Sequence, residues 1–564
     1  MGVPLLKEIF IVFGLAVGVA LVCHRFRIPT VVGLIITGVI AGPYGLGLVT
    51  KVEEVEHLAE IGIIFLLFTI GLEFSIDSIR HVRRLFLVAG PLQVVVTAGV
   101  VFAAAVSYGT DAPRATLYGM VAALSSTAII LKLLQNRSEI TSPHGKSVMA
   151  ILIFQDIIFV IMMILIPFLA GAAQGATWRE ALGMVAKAAA ILLLVLVAAP
   201  RFVPKVMTAI ARTGSNEIFL LSTGVLCFAV AYLTSLVGLS LALGAFLAGL
   251  VLSDSEHSHR TLENMLPFRD AFSSFFFISV GMLLDSRFLI GHGPTVLAAV
   301  LIVLVIKLFA TTGVILAVGL PFRIATLAGL MLAQTGEFSL LLLASGLAHG
   351  LLDAEAYQFA LAVCLISMSA APFLVALAHR LADIGIRLPM PTRVREGRYF
   401  IAGDPDEGLK DHIVVVGYGV IGAMVGHSAR LCDIAYEAIE INYDMVREQR
   451  ARGVPIFYGD ATQEASLLKA NIRAARVCVV AIPDPVGAER VVSLARRLNP
   501  DVEIVARVRY VRDMARMYAL GANEIVSEET EASIKIFSIV LERYGVDPDV
   551  IEGFGGVPVR RSED

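Results

Sequence analysis

The chain has 564 residues, 57% of them hydrophobic and 16% charged, with a mean hydropathy of +0.81 and a formal net charge of −3. Soluble domains carry about a quarter charged residues, so this apolar excess excludes an all-soluble protein and implies many membrane spans. The charge balance offers no nucleic-acid surface, and five scattered cysteines without a Cys-x-x-Cys pair give neither a disulfide framework nor a zinc site.

In chain order, Met1–Glu8 lead into an apolar run without a small-residue cleavage motif, which predicts a retained first helix and not a signal peptide. Apolar segments then predict about thirteen spans, at roughly 5–23, 30–48, 58–76, 84–108, 114–135, 146–170, 181–200, 216–235, 237–253, 270–286, 294–318, 323–348 and 356–384. The odd number puts the two ends on opposite sides. Loops after odd spans hold Arg25 and Arg27; Arg80, Arg83 and Arg84; Arg137; Arg201, Lys205 and Arg212; Arg260 and Arg269; and Arg323. Even loops hold only Lys51, Arg114, Arg179 and Arg287. By the positive-inside rule the N-terminus is outside and the C-terminus cytoplasmic, provided that the short break at Leu236–Val237 is a loop.

Polar residues interrupt these spans at a few places. Glu73, near the end of the third span, reads as an interfacial side chain reaching for water. Ser125-Ser126-Thr127 interrupts the fifth span and Gln334-Thr335-Gly336-Glu337 the twelfth. Both read as helices unwound near the midplane, and such breaks in two inverted halves point to a transporter binding site; helix-packing glue is the plainer alternative. Asp156, beside Gln155, lies near the middle of the sixth span. A carboxylate there is costly and normally faces a cavity, a partner or an ion path. Lys307 is equally deep in the eleventh span, as an ion-linked partner of the site or as a structural ion pair. His257, His259 and Glu263, after the ninth span, read as a solvated loop.

Residues 1–385 thus form the membrane region, and 386–410 a polar linker with Pro389, Pro391, Gly397, Gly403, Pro405 and Gly408. Over 411–545, short Val/Ile runs alternate with charged helical stretches, and 546–564 is a tail. Strands are predicted at His412–Val416, Ala435–Ile441, Pro455–Tyr458, Val477–Ile482, Glu503–Val508 and Glu524–Val526, which implies a Rossmann-like parallel α/β domain in the cytoplasm. Gly417-Tyr418-Gly419-Val420-Ile421-Gly422 follows the first strand and opens a helix, the arrangement that brings a backbone turn and a helix N-terminus to a phosphate. Glu440 closes the next strand at the spacing of an acid that grips ribose hydroxyls, which disfavours a 2′-phosphate. Gly459-Asp460-Ala461 borders the same end. AMP or NAD(H) is therefore the expected ligand, as a regulator: no second domain follows to hold a substrate for redox chemistry.

Together, Gly-Pro-Tyr-Gly-Leu-Gly (42–47), Thr-Ile-Gly-Leu-Glu (69–73), Ala-Leu-Ser-Ser-Thr-Ala (123–128), Phe-Gln-Asp (154–156) and Gln-Thr-Gly-Glu-Phe (334–338) resemble the second family of monovalent cation:proton antiporters, particularly Kef-type potassium efflux systems. The tail is similar to a potassium-transport nucleotide-binding domain. The resemblance implies a multi-span α-helical sodium/proton-antiporter-like fold with inverted repeats and two crossed broken helices, in a homodimer in a bacterial-type inner membrane. It implies that Asp156 binds a monovalent cation or protons, with Thr127 and neighbouring backbone lining the site. Ser125, Ser126 and Gln155 then belong to the ion site, with Lys307, Gln334 and Glu337 as partners. Electrogenic sodium antiporters of similar layout carry two adjacent aspartates; Gln155 in the first place favours potassium over sodium. Many relatives continue into a second regulatory domain, for which the chain stops too soon at Asp564, and no motif decides whether glutathione or an ancillary subunit gates it. The expected activity is K⁺/H⁺ exchange by alternating access, about one for one unless Lys307 also releases a proton. The alternatives are Na⁺/H⁺ exchange, a nucleotide-gated potassium channel, although no Thr-Val-Gly-Tyr-Gly filter is present, and an NAD-dependent oxidoreductase.

Overall fold

A computed structural model of the chain describes residues 4–25, 30–49, 52–73, 84–137, 139–140, 142–173, 203, 205–235, 241–253, 255, 258–398, 409–544 and 546. The predicted span 181–200, the break at Leu236–Val237, His257, linker residues 399–408 and tail residues 547–564 lie outside the described residues, as do the side chains of Glu73 and His259. The chain divides into two compact units, one of residues 1–133, 146–318 and 325–384, the other of 134–145, 319–324 and 385–564.

The regular elements among the described residues of the first unit are helices, as apolar sequence in lipid must form, because a helix satisfies its own backbone polar groups. Its helices are α1 (Pro4–Arg25), α2 (Thr30–Ala41), α3 (Val52–Glu73), α4 (Gly90–Ser107, after a π turn at Leu85–Ala89), α5 (Ala112–Ala123), α6 (Thr127–Asn136), α7 (Pro143–Ala173), α8 (Asn216–Ser235), α9 (Leu241–Ser253), α10 (Ser258–Met282), α11 (Ser286–Val318), α12 (Phe322–Met331), α13 (Glu337–Ala348) and α14 (Ala354–Ile386). Among the described residues, six helical stretches are long and apolar enough to cross a membrane: Leu85–Ser107, Ala112–Gln135, Pro143–Gly171, Asn216–Ser235, Ser286–Val318 and Ala354–Ile386. Two boundaries differ from expectation for local reasons. The second helix ends at Ala41, because Gly42 and Pro43 turn the chain. Helix α10 starts at Ser258, well before its apolar stretch, so Glu263 is an exposed helical residue and not part of a loop. Helix α3 meets α9 and α10 through small residues: a Cβ on Gly71 or Gly249 would strike the backbone of the facing helix.

Two segments are interrupted. Helix α5 ends at Ala123, Leu124 is extended (φ −82°, ψ 149°), and α6 begins at Thr127. Helix α12 ends at Met331, Gly336 is extended (φ −125°, ψ 175°), and α13 begins at Glu337. Each break leaves helix-terminal carbonyls and N–H groups without their usual partners.

In the second unit, a short helix α15 (Thr392–Arg395) precedes a doubly wound sheet. Strands β1 (Ile413–Val416), β2 (Tyr436–Glu440), β3 (Ile456–Tyr458), β4 (Val477–Val480), β5 (Glu503–Val508) and β6 (Glu524–Ser527) run parallel in the order β3-β2-β1-β4-β5-β6. Helices α16 (Val420–Leu431), α17 (Tyr443–Ala451), α18 (Glu464–Lys469), α19 (Pro485–Leu498), α20 (Met514–Ala519) and α21 (Glu528–Arg543) alternate with them. Apolar Val and Ile runs fill the strands because both sheet faces are covered: Val414, Val415, Cys478, Ile504 and Ala506 are fully buried. The order reverses between β1 and β4, which places a ligand crevice at the carboxyl end of β1.

Candidate functional site

The two breaks of the membrane unit cross. A Cβ on Gly336 would stand 2.6 Å from the carbonyl carbon of Ser125 and 2.9 Å from the nitrogen of Ser126, so only glycine permits this approach. Each break satisfies the other's helix ends. The Ser125 hydroxyl donates to the Leu332 carbonyl at 2.9 Å, and the Ser339 hydroxyl donates to the Val121 carbonyl at 2.7 Å. Ionisable side chains meet the half-helix ends. The buried Lys307 Nζ donates to the Leu124 carbonyl at 2.5 Å, beyond the negative end of α5. Glu337, buried at the start of α13, accepts from the Ala128 amide at 3.4 Å, in the first turn of α6. Its carboxylate therefore sits between two positive helix ends.

Asp156, on α7, projects toward the same crossing. The Thr127 hydroxyl donates to its Oδ1 at 2.9 Å, and the carboxylate is half-buried where Gln155, Ser125 and Lys307 are buried. Ser126 caps α6, accepting from the Ile129 amide at 3.3 Å. Gln155 has a different outlook: its Oε1 accepts from the Ser125 amide at 2.8 Å, and its Nε2 donates to Gln93 Oε1 at 2.8 Å. Gln334 is buried in the second break, and neither end of its amide has a hydrogen-bond partner among the described residues. Thus Ser125, Ser126, Thr127, Asp156, Lys307 and Glu337 converge at the crossing, while Gln155 holds the break from behind. Gln93 escaped notice in the sequence; its one visible sign is an amide within an otherwise apolar helix.

In the second unit, the carboxyl ends of β1, β2 and β3 gather the other predicted residues. Gly417 has φ +90°, and a Cβ there would stand 2.7 Å from Ile482 Cγ2; a Cβ on Gly422 would strike the Gly417 carbonyl. Both glycines are required by the fold. A Cβ on Gly419 would meet nothing within 4 Å, so this position is left open in front of the first-turn N–H groups of Val420, Ile421 and Gly422. That is a cradle shaped for a phosphate. The Glu440 carboxylate accepts from the amides of Tyr418 (Oε2, 2.8 Å), Ile441 and Asn442 (both Oε1, 2.8 Å). A carboxylate offers about four acceptor positions, so one is left on Oε2 for a ribose hydroxyl. Asp460 is buried and its Oδ1 accepts from the Thr462 amide and hydroxyl at 2.9 and 2.7 Å; Ala461 lies buried beside it. Near Asp460 stands Glu396, just beyond α15. Burial first, and the Asp460 carboxylate second, push its pKa up to about 7 against the pull of the Arg395 guanidinium. Tyr418 is pushed up to about 12, by burial and by its hydrogen bond with Tyr436.

A family model described as "Sodium/hydrogen exchanger, transmembrane" matches residues 11–378, and a TrkA-N domain model matches residues 413–528. The chain is 33% identical over 542 residues to a putative K(+) efflux antiporter KefB of Alkalimonas amylolytica, covering 95% of this chain and 81% of the relative. It is 33% identical over 539 residues to a putative cation/proton antiporter YbaL of Escherichia coli, covering 94% of this chain and 96% of the relative. The solved structure of the sodium proton antiporter MjNhaP1 from Methanocaldococcus jannaschii superposes with a TM-score of 0.51 at 16% identity, covering 67% of this chain and 98% of that one. The latter likeness is one of fold.

Proposed function

The chain belongs to the sodium/hydrogen exchanger family, with a C-terminal TrkA-N domain, and from that premise we propose that it exchanges potassium for protons at Asp156 by alternating access. The observation that carries this reading is the crossing itself. Asp156 is the half-buried carboxylate there, held by Thr127, while Lys307 and Glu337 are engaged with half-helix ends. A carboxylate in that position holds a proton or a dehydrated cation but not both, which couples the two fluxes. Ser125, Ser126 and Thr127 contribute hydroxyl and backbone oxygens. Gln155 holds the Ser125 amide, and buried Gln334 offers an amide with both ends unspent among the described residues. With Lys307 engaged on the Leu124 carbonyl and Glu337 on the Ala128 amide, Asp156 is taken as the group that exchanges its proton, and exchange is one K⁺ for one H⁺.

The relatives' names carry potassium efflux and cation/proton antiport. Sodium is the competing ion, since the fold is shared with a sodium proton antiporter. The predicted inside loops at 134–145 and 319–324 belong to the same compact unit as the TrkA-N domain, which supports a cytoplasmic C-terminus. A homodimer in a bacterial-type inner membrane completes the assignment. The TrkA-N domain binds AMP or NAD(H), with phosphate on Gly419, Val420, Ile421 and Gly422, ribose on Glu440, and adenosine beside Asp460 and Ala461. Binding changes the exchange rate through residues 386–410.

Competition at one carboxylate has a direct consequence in purified protein: adding K⁺ to a weakly buffered sample releases about one proton per site, and Asp156→Asn abolishes the release. Release that persists in Asp156→Asn would sink the assignment.

A further inference from the structure

Four buried polar groups behind the first break form one directed chain. The Ser125 amide donates to Gln155 Oε1 at 2.8 Å; Gln155 Nε2 donates to Gln93 Oε1 at 2.8 Å. Gln93 Nε2 then donates to the Ala123 carbonyl at 3.3 Å and to the Thr97 hydroxyl at 3.2 Å. Ser125, Gln155, Gln93 and Thr97 are all buried, with exposures of 1, 1, 0 and 0%. The two backbone groups at the ends set the polarity. Ser125 N–H can only donate and Ala123 C=O can only accept, so each glutamine amide has one orientation that satisfies the chain. Ala123 and Ser125 flank Leu124, and Thr127, which holds Asp156, follows two residues later.

We propose that Gln93 is a positioning residue of the exchange site: through Gln155 and directly, it holds both backbone groups of the first break, and so sets where Thr127 meets Asp156. This role rests on the reading of Asp156 as the exchange site. It requires amides at both positions. A carboxylate at 155 has no proton to give to Gln93 Oε1, and an ionised carboxylate at 93 has none to give to Ala123. The same wiring accounts for an amide, and not a second carboxylate, beside Asp156. Gln93 touches neither Asp156 nor Lys307 in the described hydrogen bonds, so it acts through geometry alone.

The test uses full-length protein with Gln93→Leu and Gln93→Glu. A protonated glutamate keeps the two bonds that hold the break, accepting from Gln155 and donating to Ala123, and gives up only the donation to Thr97; an ionised one has no donor for Ala123. Gln93→Glu is therefore expected to show near wild-type K⁺/H⁺ exchange in proteoliposomes at pH 6, and a KM for K⁺ that rises above wild type by about tenfold toward pH 9, the size of one lost buried hydrogen bond. Gln93→Leu shows the raised KM at every pH. The melting temperature of Gln93→Glu, taken relative to wild type, falls over the same pH range. Asp156 on α7, Lys307 on α11 and Glu337 on α13 are the ionisable groups at the break that the relay holds, and both proteins carry them, so their titration cancels in the difference. Melting curves that run parallel overturn the relay. Diverging melting curves with an unchanged KM leave Gln93 a structural residue and overturn the positioning role. Wild-type protein that exchanges no monovalent cation sinks the exchange reading and this role with it, whereas a wild type that exchanges beside variants of unchanged KM sinks this role alone.

Discussion

Glu396 gives a prediction whose size follows from its surroundings. It is 1% exposed, its Oε2 has no hydrogen-bond partner among the described residues, and its Oε1 stands 3.5 Å from Arg395 Nε. Burial and the Asp460 carboxylate raise its pKa from the ordinary 4.5 to about 7. The folded segment thus holds a proton that the opened segment gives up. Stability from this group is fully present below pH 4.5, declines as pH rises, and is gone above about pH 7. Each pH unit across that window is worth about 1.4 kcal/mol, so the loss is at most about 3 kcal/mol, or on the order of a hundredfold in local opening. Glu396→Gln removes the titration while keeping the shape. The assay is hydrogen–deuterium exchange of peptides covering residues 392–398 in full-length protein, corrected for intrinsic rates, from pH 5 to pH 8. Wild type loses protection as pH rises and Glu396→Gln does not, so the variant is the better protected of the two at pH 8. Equal pH dependence in both proteins would rule out Glu396 as the titrating group, and protection that rises with pH in wild type would reverse the sign of its shift.

Further perturbations test other parts. Gly419→Ala meets no steric obstacle in the ligand-free domain, so its melting temperature should match wild type while AMP or NAD(H) affinity, measured by calorimetry, falls by about tenfold or more; unchanged affinity would mean that no phosphate sits there. Gly336→Ala forces a methyl group to 2.6 Å from the Ser125 carbonyl carbon, and overpacking of about 1–3 kcal/mol at the crossing should lower the exchange rate by about fivefold to a hundredfold. With Lys307 and Glu337 each keeping one protonation state through the cycle, exchange is electroneutral, and an imposed membrane potential leaves the rate unchanged; a potential-dependent rate would show that a second group titrates.

The helical membrane region and its breaks were legible in the sequence because a membrane tolerates hydroxyls and charges inside apolar runs only where they find a partner or a cavity. Ser125-Ser126-Thr127 and Gln334-Thr335-Gly336-Glu337 were visible for that reason, and the glycine turn after β1 because its spacing is tied to a strand-to-helix turn. What stayed hidden was partnership. Lys307 had two open roles in the sequence, and its bond to the Leu124 carbonyl depends on α11 passing the end of α5. Gln155 stood next to Asp156 in sequence but turns to Gln93 and Ser125, because neighbours on a helix point about a quarter-turn apart. Glu440 was expected to meet ribose; it also clamps the Tyr418 amide, a contact made across two strands. Helix α10 began early because its first turns are amphipathic, which an apolar-run reading passes over.

Potassium–proton exchange at Asp156 stands or falls on one comparison. Wild type and Asp156→Asn are reconstituted side by side in proteoliposomes, and proton movement is followed on an inward gradient of K⁺ or of Na⁺. Exchange at this carboxylate requires proton efflux driven by K⁺ more strongly than by Na⁺ in wild type, and none in Asp156→Asn with either ion. K⁺-driven proton movement of wild-type size in Asp156→Asn would contradict it.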